Sequence, residues 1–273
     1  MSMNPTHLRR IIIQQAKRAR VGHIGSAMCI ADILAVLYGD LLRIDAPGAP
    51  DRDRFVLSKG HAALALYAAL ALRGTFDKTE LDTYCGEDTR LGVHPEMTLP
   101  GVDFCTGSLG QGLSMACGAA LAARMQGSDR RVFCLVSDAE CNEGALWEAA
   151  MFGAHHKLTN LTVIVDENGQ QAFGLTKDVI NQANLAERWA AFGWTAVPVD
   201  GHDVRALDAA LRPRGAVGPR AVIARTVIGK GVSFMEQGRS VTQTHIPQHL
   251  INWHYLPMSD AEYAQALAEL DEA

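Results

Sequence analysis

Asp138 and Asn168, thirty positions apart, carry the first chemical signal in this 273-residue sequence. Each closely follows an apolar run, at 132–136 and 161–165, that reads as a buried strand. One strand-helix unit therefore separates them, and both fall on the same rim of neighbouring strands. A carboxylate, an amide oxygen and a nearby backbone carbonyl are hard ligands suited to Mg²⁺ or Ca²⁺. Three protein oxygens leave positions open for phosphate oxygens. The backbone N–H groups of Ala139, Glu140 and Cys141, ahead of a helix, offer a phosphate further donors. Together these groups would hold a diphosphate through a metal ion.

The elements that must position them alternate along the chain. Apolar periodicity and breakers predict helices over 5–20, 30–42, 62–72, 112–125, 144–157, 204–211 and 260–270, with a turn at 22–25 and a loop over 44–54. Unalternating apolar runs predict strands over 54–58, 132–136, 161–165, 194–199 and 221–227. This alternation defines an α/β fold with a doubly wound, mostly parallel sheet and helices on both faces. No linker, charge block or repeat divides the chain, so residues 1–273 read as one domain. In such folds ligands sit beyond the carboxyl ends of the strands. That places Ser58-Lys59-Gly60-His61, Ser137-Asp138-Ala139-Glu140, Asp166-Glu167-Asn168-Gly169 and Asp200-Gly201-His202-Asp203 at the candidate site. Singly, the Asp and Gly residues here are ordinary turn and N-cap residues; the Asp138–Asn168 pair is what carries information.

The composition limits the alternatives. Hydrophobic residues make up 48% and charged residues 20%, a globular balance, and the formal net charge of −5 argues against nucleic acid or an anionic membrane as partner. The apolar run 62–72 is too short to span a bilayer, and no secretory signal is visible at the N-terminus. Six cysteines show neither a C-x-x-C pair nor metal-ligand spacing, and those at 29, 117 and 134 read as buried small hydrophobes. A cytoplasmic, reduced protein is expected.

Around Asp138 and Asn168 stand Gly22-His23-Ile24-Gly25, Phe55-Val-Leu-Ser-Lys-Gly-His61, Gly92-Val-His94-Pro-Glu96 and Thr106-Gly107-Ser-Leu-Gly110-Gln-Gly112. Glu143-Gly144-Ala-Leu-Trp147-Glu148, Gly229-Lys230-Gly231-Val-Ser-Phe234 and Trp253-His254 follow. In this order and spacing the sequence resembles the diphosphate-binding half of transketolase, across roughly residues 5 to 270. The resemblance implies thiamine diphosphate and Mg²⁺ (or Ca²⁺ or Mn²⁺) as cofactors. It implies Asp138, Asn168 and the Gln170 carbonyl as metal ligands. His61, His254, Gly107, Ser108, Leu109, Ala139 and Glu140 would contact the cofactor. His23, His61, His94 and His254 would handle substrate hydroxyls and their protons, a role suited to a group whose pKa lies near neutrality. Glu143 would meet, at a subunit interface, the glutamate that activates the cofactor from the partner half.

Transketolases carry a second, pyrimidine-binding α/β domain and a third domain, and neither is in this chain. The resemblance therefore implies the N-terminal subunit of a split, two-gene transketolase. It would pair with a pyrimidine-binding subunit in an α2β2 heterotetramer and act on sugar phosphates or related sugars. Two other readings compete. One is the alpha subunit of a 2-oxoacid dehydrogenase, which would not be expected to carry the Gly-His-Ile-Gly, Ser-Lys-Gly-His and Val-His-Pro-Glu trio. The other is a scaffolding paralogue with a decayed site, motivated by Ser137 and Ala139 where the family has Gly-Asp-Gly. Two further departures from expectation are the 16 residues between Glu236 and Trp253, more than the family usually has, and the length. His155, His156 and His202 read as structural, and His7, His245 and His249 as surface residues. Trp147 and Trp189 read as helix-face core residues. The glycines at 107, 110 and 112 do not have dinucleotide-fold spacing, and Gly229-Lys230-Gly231 fails that of a P-loop.

Overall fold

Val-, Ile- and Phe-rich runs become strands, and the Ala- and Leu-rich stretches between them become the helices that cover those strands. The computed structural model describes residues 3–44, 46, 48–212, 217–236, 253 and 255–272. In chain order the helices are α1 (Pro5–Ala19), α2 (Ile24–Met28), α3 (Ala31–Val36), α4 (Ala63–Leu72), α5 (Gly112–Met125), α6 (Gly144–His155), α7 (Thr176–Val179), α8 (Leu185–Ala191), α9 (Val204–Leu211), α10 (Ser233–Glu236) and α11 (Asp260–Glu272). The strands are β1 (Arg54–Leu57), β2 (Val132–Ser137), β3 (Leu161–Glu167), β4 (Gln170–Gln171), β5 (Gly174–Leu175), β6 (Thr195–Asp200) and β7 (Arg220–Arg225). Five of these form one sheet in the order β1-β2-β3-β7-β6, and every neighbouring pair is parallel. The short β4 and β5 pair with each other, antiparallel.

Alternate residues of the central strands point to opposite faces, and both faces are covered, as a parallel sheet requires. Phe133, Leu135, Ile164 and Val222 pack with α1, α2, α3, α4, α9 and α11. Val132, Cys134, Val136, Val163 and Val165 pack with α5, α6 and α8, including Trp189 and Trp194. Trp189 is fully buried and Trp147 half-buried beside it.

Two features differ from the sequence-based expectation. The helical run after the first turn begins at Ile24 and not near 30, because His23 adopts a left-handed φ of 58° and reverses the chain as the N-cap of α2. From there Ile24–Leu41 is apolar over 18 residues, but it is 94% buried, the signature of core helices and not of a membrane span. Strand β6 is an edge strand with no buried residue, consistent with Pro198, which has no N–H to give a second neighbour.

Candidate active site

The register of the sheet builds the site. Ser137 of β2 pairs with Asp166 of β3, and the Asp138 N–H donates to the Asp166 carbonyl at 3.1 Å. The two strands therefore end side by side and level. Asp138 Oδ1 accepts from the Ala139 N–H at 2.8 Å, and Oδ2 accepts from the Gly169 N–H and the Thr176 hydroxyl, both at 2.9 Å. Burial and the nearby Asp166 charge push the Asp138 carboxyl up to about 7 against the donors that hold it. A divalent cation would reverse that penalty, which is the chemical fit between this carboxylate and a metal. No cluster of three His, Cys, Asp or Glu side chains could hold a metal alone among the described residues. The expected donor set of one carboxylate, one amide and one carbonyl is thus incomplete without ligand oxygens.

Asn168 is oriented from behind. Its Nδ2 donates to Asp166 Oδ2 at 2.8 Å, and its Oδ1 accepts from the Gln170 N–H at 3.0 Å with a second lone pair left for a cation. Asp166 is fully buried and paired with the equally buried Lys59 at 2.6 Å. It also accepts from the Thr226 hydroxyl and from the Cys29 thiol at 3.2 Å. Burial opposes both charges, but each partner keeps the other ionised: Asp166 lies below the usual carboxylate range and Lys59 above its own. In the sequence both residues stand within motifs, and neither is given a role there. A lysine directly after a buried strand, with an aspartate closing a strand two places away in the sheet, is the signal that marks them.

Glu140 corrects an expectation. Its side chain is fully buried and accepts from Ser58 Oγ (2.5 Å), the Gly110 N–H (2.9 Å) and the Ser137 N–H (3.0 Å). Its own N–H donates to Ser137 Oγ, and the Cys141 N–H donates to the Asp138 carbonyl. Glu140 and Cys141 thus spend their polar groups fastening three loops together, whereas Ala139, whose N–H turns to Asp138 Oδ1, lines the cleft. Ala139 lies outside the set of residues with left-handed backbone, so replacing the family's glycine costs no strain there. Close backbone approach does matter at two glycines. A Cβ on Gly60 would lie 2.8 Å from the Thr106 carbonyl group, and Gly110, at φ 85°, would meet Glu143 Cβ at 2.6 Å.

These loops enclose a cleft of about 280 Å³ lined by His61, Leu109, Ala139, Glu143, Asn168 and Gln170, among others. His61 Nε2 lies 2.9 Å from Ser26 Oγ, and its ring centroid is 5.2 Å from that of His23. His23 is held below its ordinary pKa by burial, then by His94 and Lys59. Exposed His94 packs against Gly107, and its carbonyl accepts from the Tyr67 hydroxyl at 2.9 Å. Ser108 is exposed on the same loop. Three of the four expected histidines thus gather at one rim. His254, His245 and His249 lie outside the described residues; beside His254, the Tyr255 hydroxyl reaches the Ala172 carbonyl at 3.3 Å.

His202 is structural, as expected. Its Nε2 accepts from the Val227 N–H at 2.9 Å, so Nδ1 carries the proton that it donates to Asp32 at 2.7 Å. His155 and His156 sit at the end of α6, away from the cleft-lining residues, and His7 is exposed.

The family defined by the transketolase thiamine diphosphate-binding domain matches residues 4–248. The 6-deoxy-6-sulfo-D-fructose transketolase subunit SqwG of Clostridium sp. is 38% identical over 97% of this chain and 94% of its own length. One subunit of the apulose-4-phosphate transketolase of Phocaeicola vulgatus is 34% identical over 97% of this chain and 91% of its own. The crystal structure of Campylobacter jejuni transketolase superposes with a TM-score of 0.86 at 30% identity, over 98% of this chain but only 42% of that one. The chain belongs to the transketolase family, as its thiamine diphosphate-binding domain.

Proposed function

We propose that this chain is the diphosphate-binding subunit of a two-chain transketolase, transferring a two-carbon ketol unit from a ketose to an aldose, as sugar phosphates or related sugars. Length carries the reading: the chain matches single transketolase subunits nearly end to end, yet spans 42% of a full-length transketolase. Its partner is a pyrimidine-binding subunit in an α2β2 assembly, in the cytoplasm, a compartment compatible with six free cysteines.

Asp138, Asn168 Oδ1 and the Gln170 carbonyl would hold Mg²⁺ against the diphosphate of the cofactor, with the Ala139 backbone beside it. His61 and His254 would hold diphosphate oxygens, and Gly107, Ser108 and Leu109 would flank the rings. Thiamine diphosphate, when bound, supplies the electron sink for the carbanion left by ketose cleavage. The protein's own task is to orient the sugar and move protons on its hydroxyls. His23, neutral at physiological pH because its pKa is lowered, is suited to accept one. His94 and His61 stand at the same rim. Exposed Glu143 lines the cleft where the partner would approach, positioned to orient the partner's activating carboxylate.

Apolar exposure at the cleft also fits a missing partner. Phe173, which lines the cleft, is 85% exposed. The purified chain, given Mg²⁺, thiamine diphosphate, ketose phosphate donors and aldose acceptors, is expected to show no two-carbon transfer until a pyrimidine-binding subunit is added. Turnover of about 1 s⁻¹ or more by the lone chain would overturn the split-subunit reading. Transfer from pyruvate and not from sugars would favour the 2-oxoacid dehydrogenase class.

A further inference from the structure

Three amides cross the loops behind the cleft. Gln182 Nε2 donates to Asn142 Oδ1, and Asn142 Nδ2 donates to Gln171 Oε1 at 3.3 Å. Gln171 and Gln182 are each only 6% exposed. The acceptor of Gln171 is therefore used, while its Nε2 is buried and has no partner among the described residues. A buried amide donor of this kind costs free energy until something accepts from it. Turning Gln171 alone would set two NH₂ groups against each other, so Asn142 fixes its orientation. The other end of the chain, Gln182 Oε1, is buried and unpartnered among the described residues too, and turning all three amides would put an oxygen where the Gln171 Nε2 stands, an orientation an anionic ligand opposes.

Gln171 and Asn142 both line the cleft that His61, Ala139, Asn168 and Gln170 line. Gln171 directly follows the residue whose carbonyl is assigned to the metal, and it lies in β4, pinned to β5 by pairing with Gly174. We propose that Gln171 is a further cofactor-positioning residue, its Nε2–H donating to a diphosphate oxygen, with Asn142 and Gln182 holding the amide in that sense. This rests on the cofactor reading above and adds to it a donor supplied by an uncharged side chain.

The test compares the assembled two-chain enzyme with its Gln171→Glu and Gln171→Leu variants by calorimetric titration with Mg²⁺-thiamine diphosphate, Mg²⁺-diphosphate and thiamine. Glu keeps the shape and the oxygen that accepts from Asn142, but replaces the donor with a repelling oxygen. Gln171→Leu is expected to weaken thiamine diphosphate and diphosphate binding about tenfold, and Gln171→Glu about a hundredfold, the range of one hydrogen bond to a charged group. Thiamine affinity should be unchanged. A merely structural role would lower the melting temperature without separating the diphosphate ligands from thiamine, and that result would overturn the proposal. So would a cofactor-bound structure of the unmutated enzyme with Nε2 more than about 4 Å from every diphosphate oxygen. If the unmutated enzyme binds no thiamine diphosphate, the cofactor reading itself fails and this inference with it. If it binds normally and Gln171→Glu binds equally well, the inference alone fails.

Discussion

Asp138→Ala is expected to abolish retention of thiamine diphosphate in the assembled enzyme, with an affinity loss of at least about a hundredfold. Loss of an outer partner of a metal ligand typically costs 10–100-fold, and Asp138 would be the metal's one charged protein ligand. The alanine variant also strips the acceptor from Gly169, Ala139 and Thr176, so a second substitution separates metal loss from loop collapse. Asp138→Asn keeps an oxygen for Gly169 and Thr176, loses only the acceptor for the Ala139 N–H, and removes the charge. Its melting temperature should fall less than that of the alanine variant, since it keeps two of the three hydrogen bonds and burial already disfavours the Asp138 anion. Its cofactor affinity should fall nearly as far as that of the alanine variant. Equilibrium dialysis with Mg²⁺ and thiamine diphosphate reads the outcome. Unchanged affinity in both variants would remove Asp138 from the metal site.

The second large effect concerns Lys59. Lys59→Met would leave Asp166 buried without its cation, a change that typically costs 3–5 kcal/mol. Denaturant unfolding should therefore show a large fall in midpoint, or little folded protein at all. Lys59→Met/Asp166→Leu removes both charges and should recover much of the stability, because an apolar pair of similar volume escapes the desolvation penalty. It should not recover cofactor affinity, since Asn168 Nδ2 would have lost the acceptor that orients its amide. A double variant as defective in folding as the single one, or one that binds cofactor normally, would contradict this division between stability and positioning.

The strands, the main covering helices and their approximate ends were legible in the sequence because parallel strands buried on both faces leave unbroken apolar runs. The edge place of β6 was carried only by Pro198, which cannot donate to a second neighbour; the strand order that makes it an edge is set by the tertiary structure. The early start of the second helical run was hidden, because His23 takes a left-handed turn that residue type does not announce.

At the site, the same division holds. Residue types and spacing determined Asp138 and Asn168 as metal-competent neighbours, since one strand-helix unit between two strand ends places them on one rim. The family motifs determined which histidines to examine, and His23, His61 and His94 do gather there. What only the tertiary structure decided is the support behind them. Glu140 reads in sequence as an N–H donor to a phosphate, yet that N–H turns to Ser137 Oγ and its carboxylate turns inward to Ser58 and Gly110. Lys59, Asp166 and Asn168 come from segments up to 109 residues apart, and Gln171, Asn142 and Gln182 from three separate segments. Side-chain direction and hydrogen-bond polarity depend on which strands become neighbours and in what register, and no local pattern encodes contacts made across that distance.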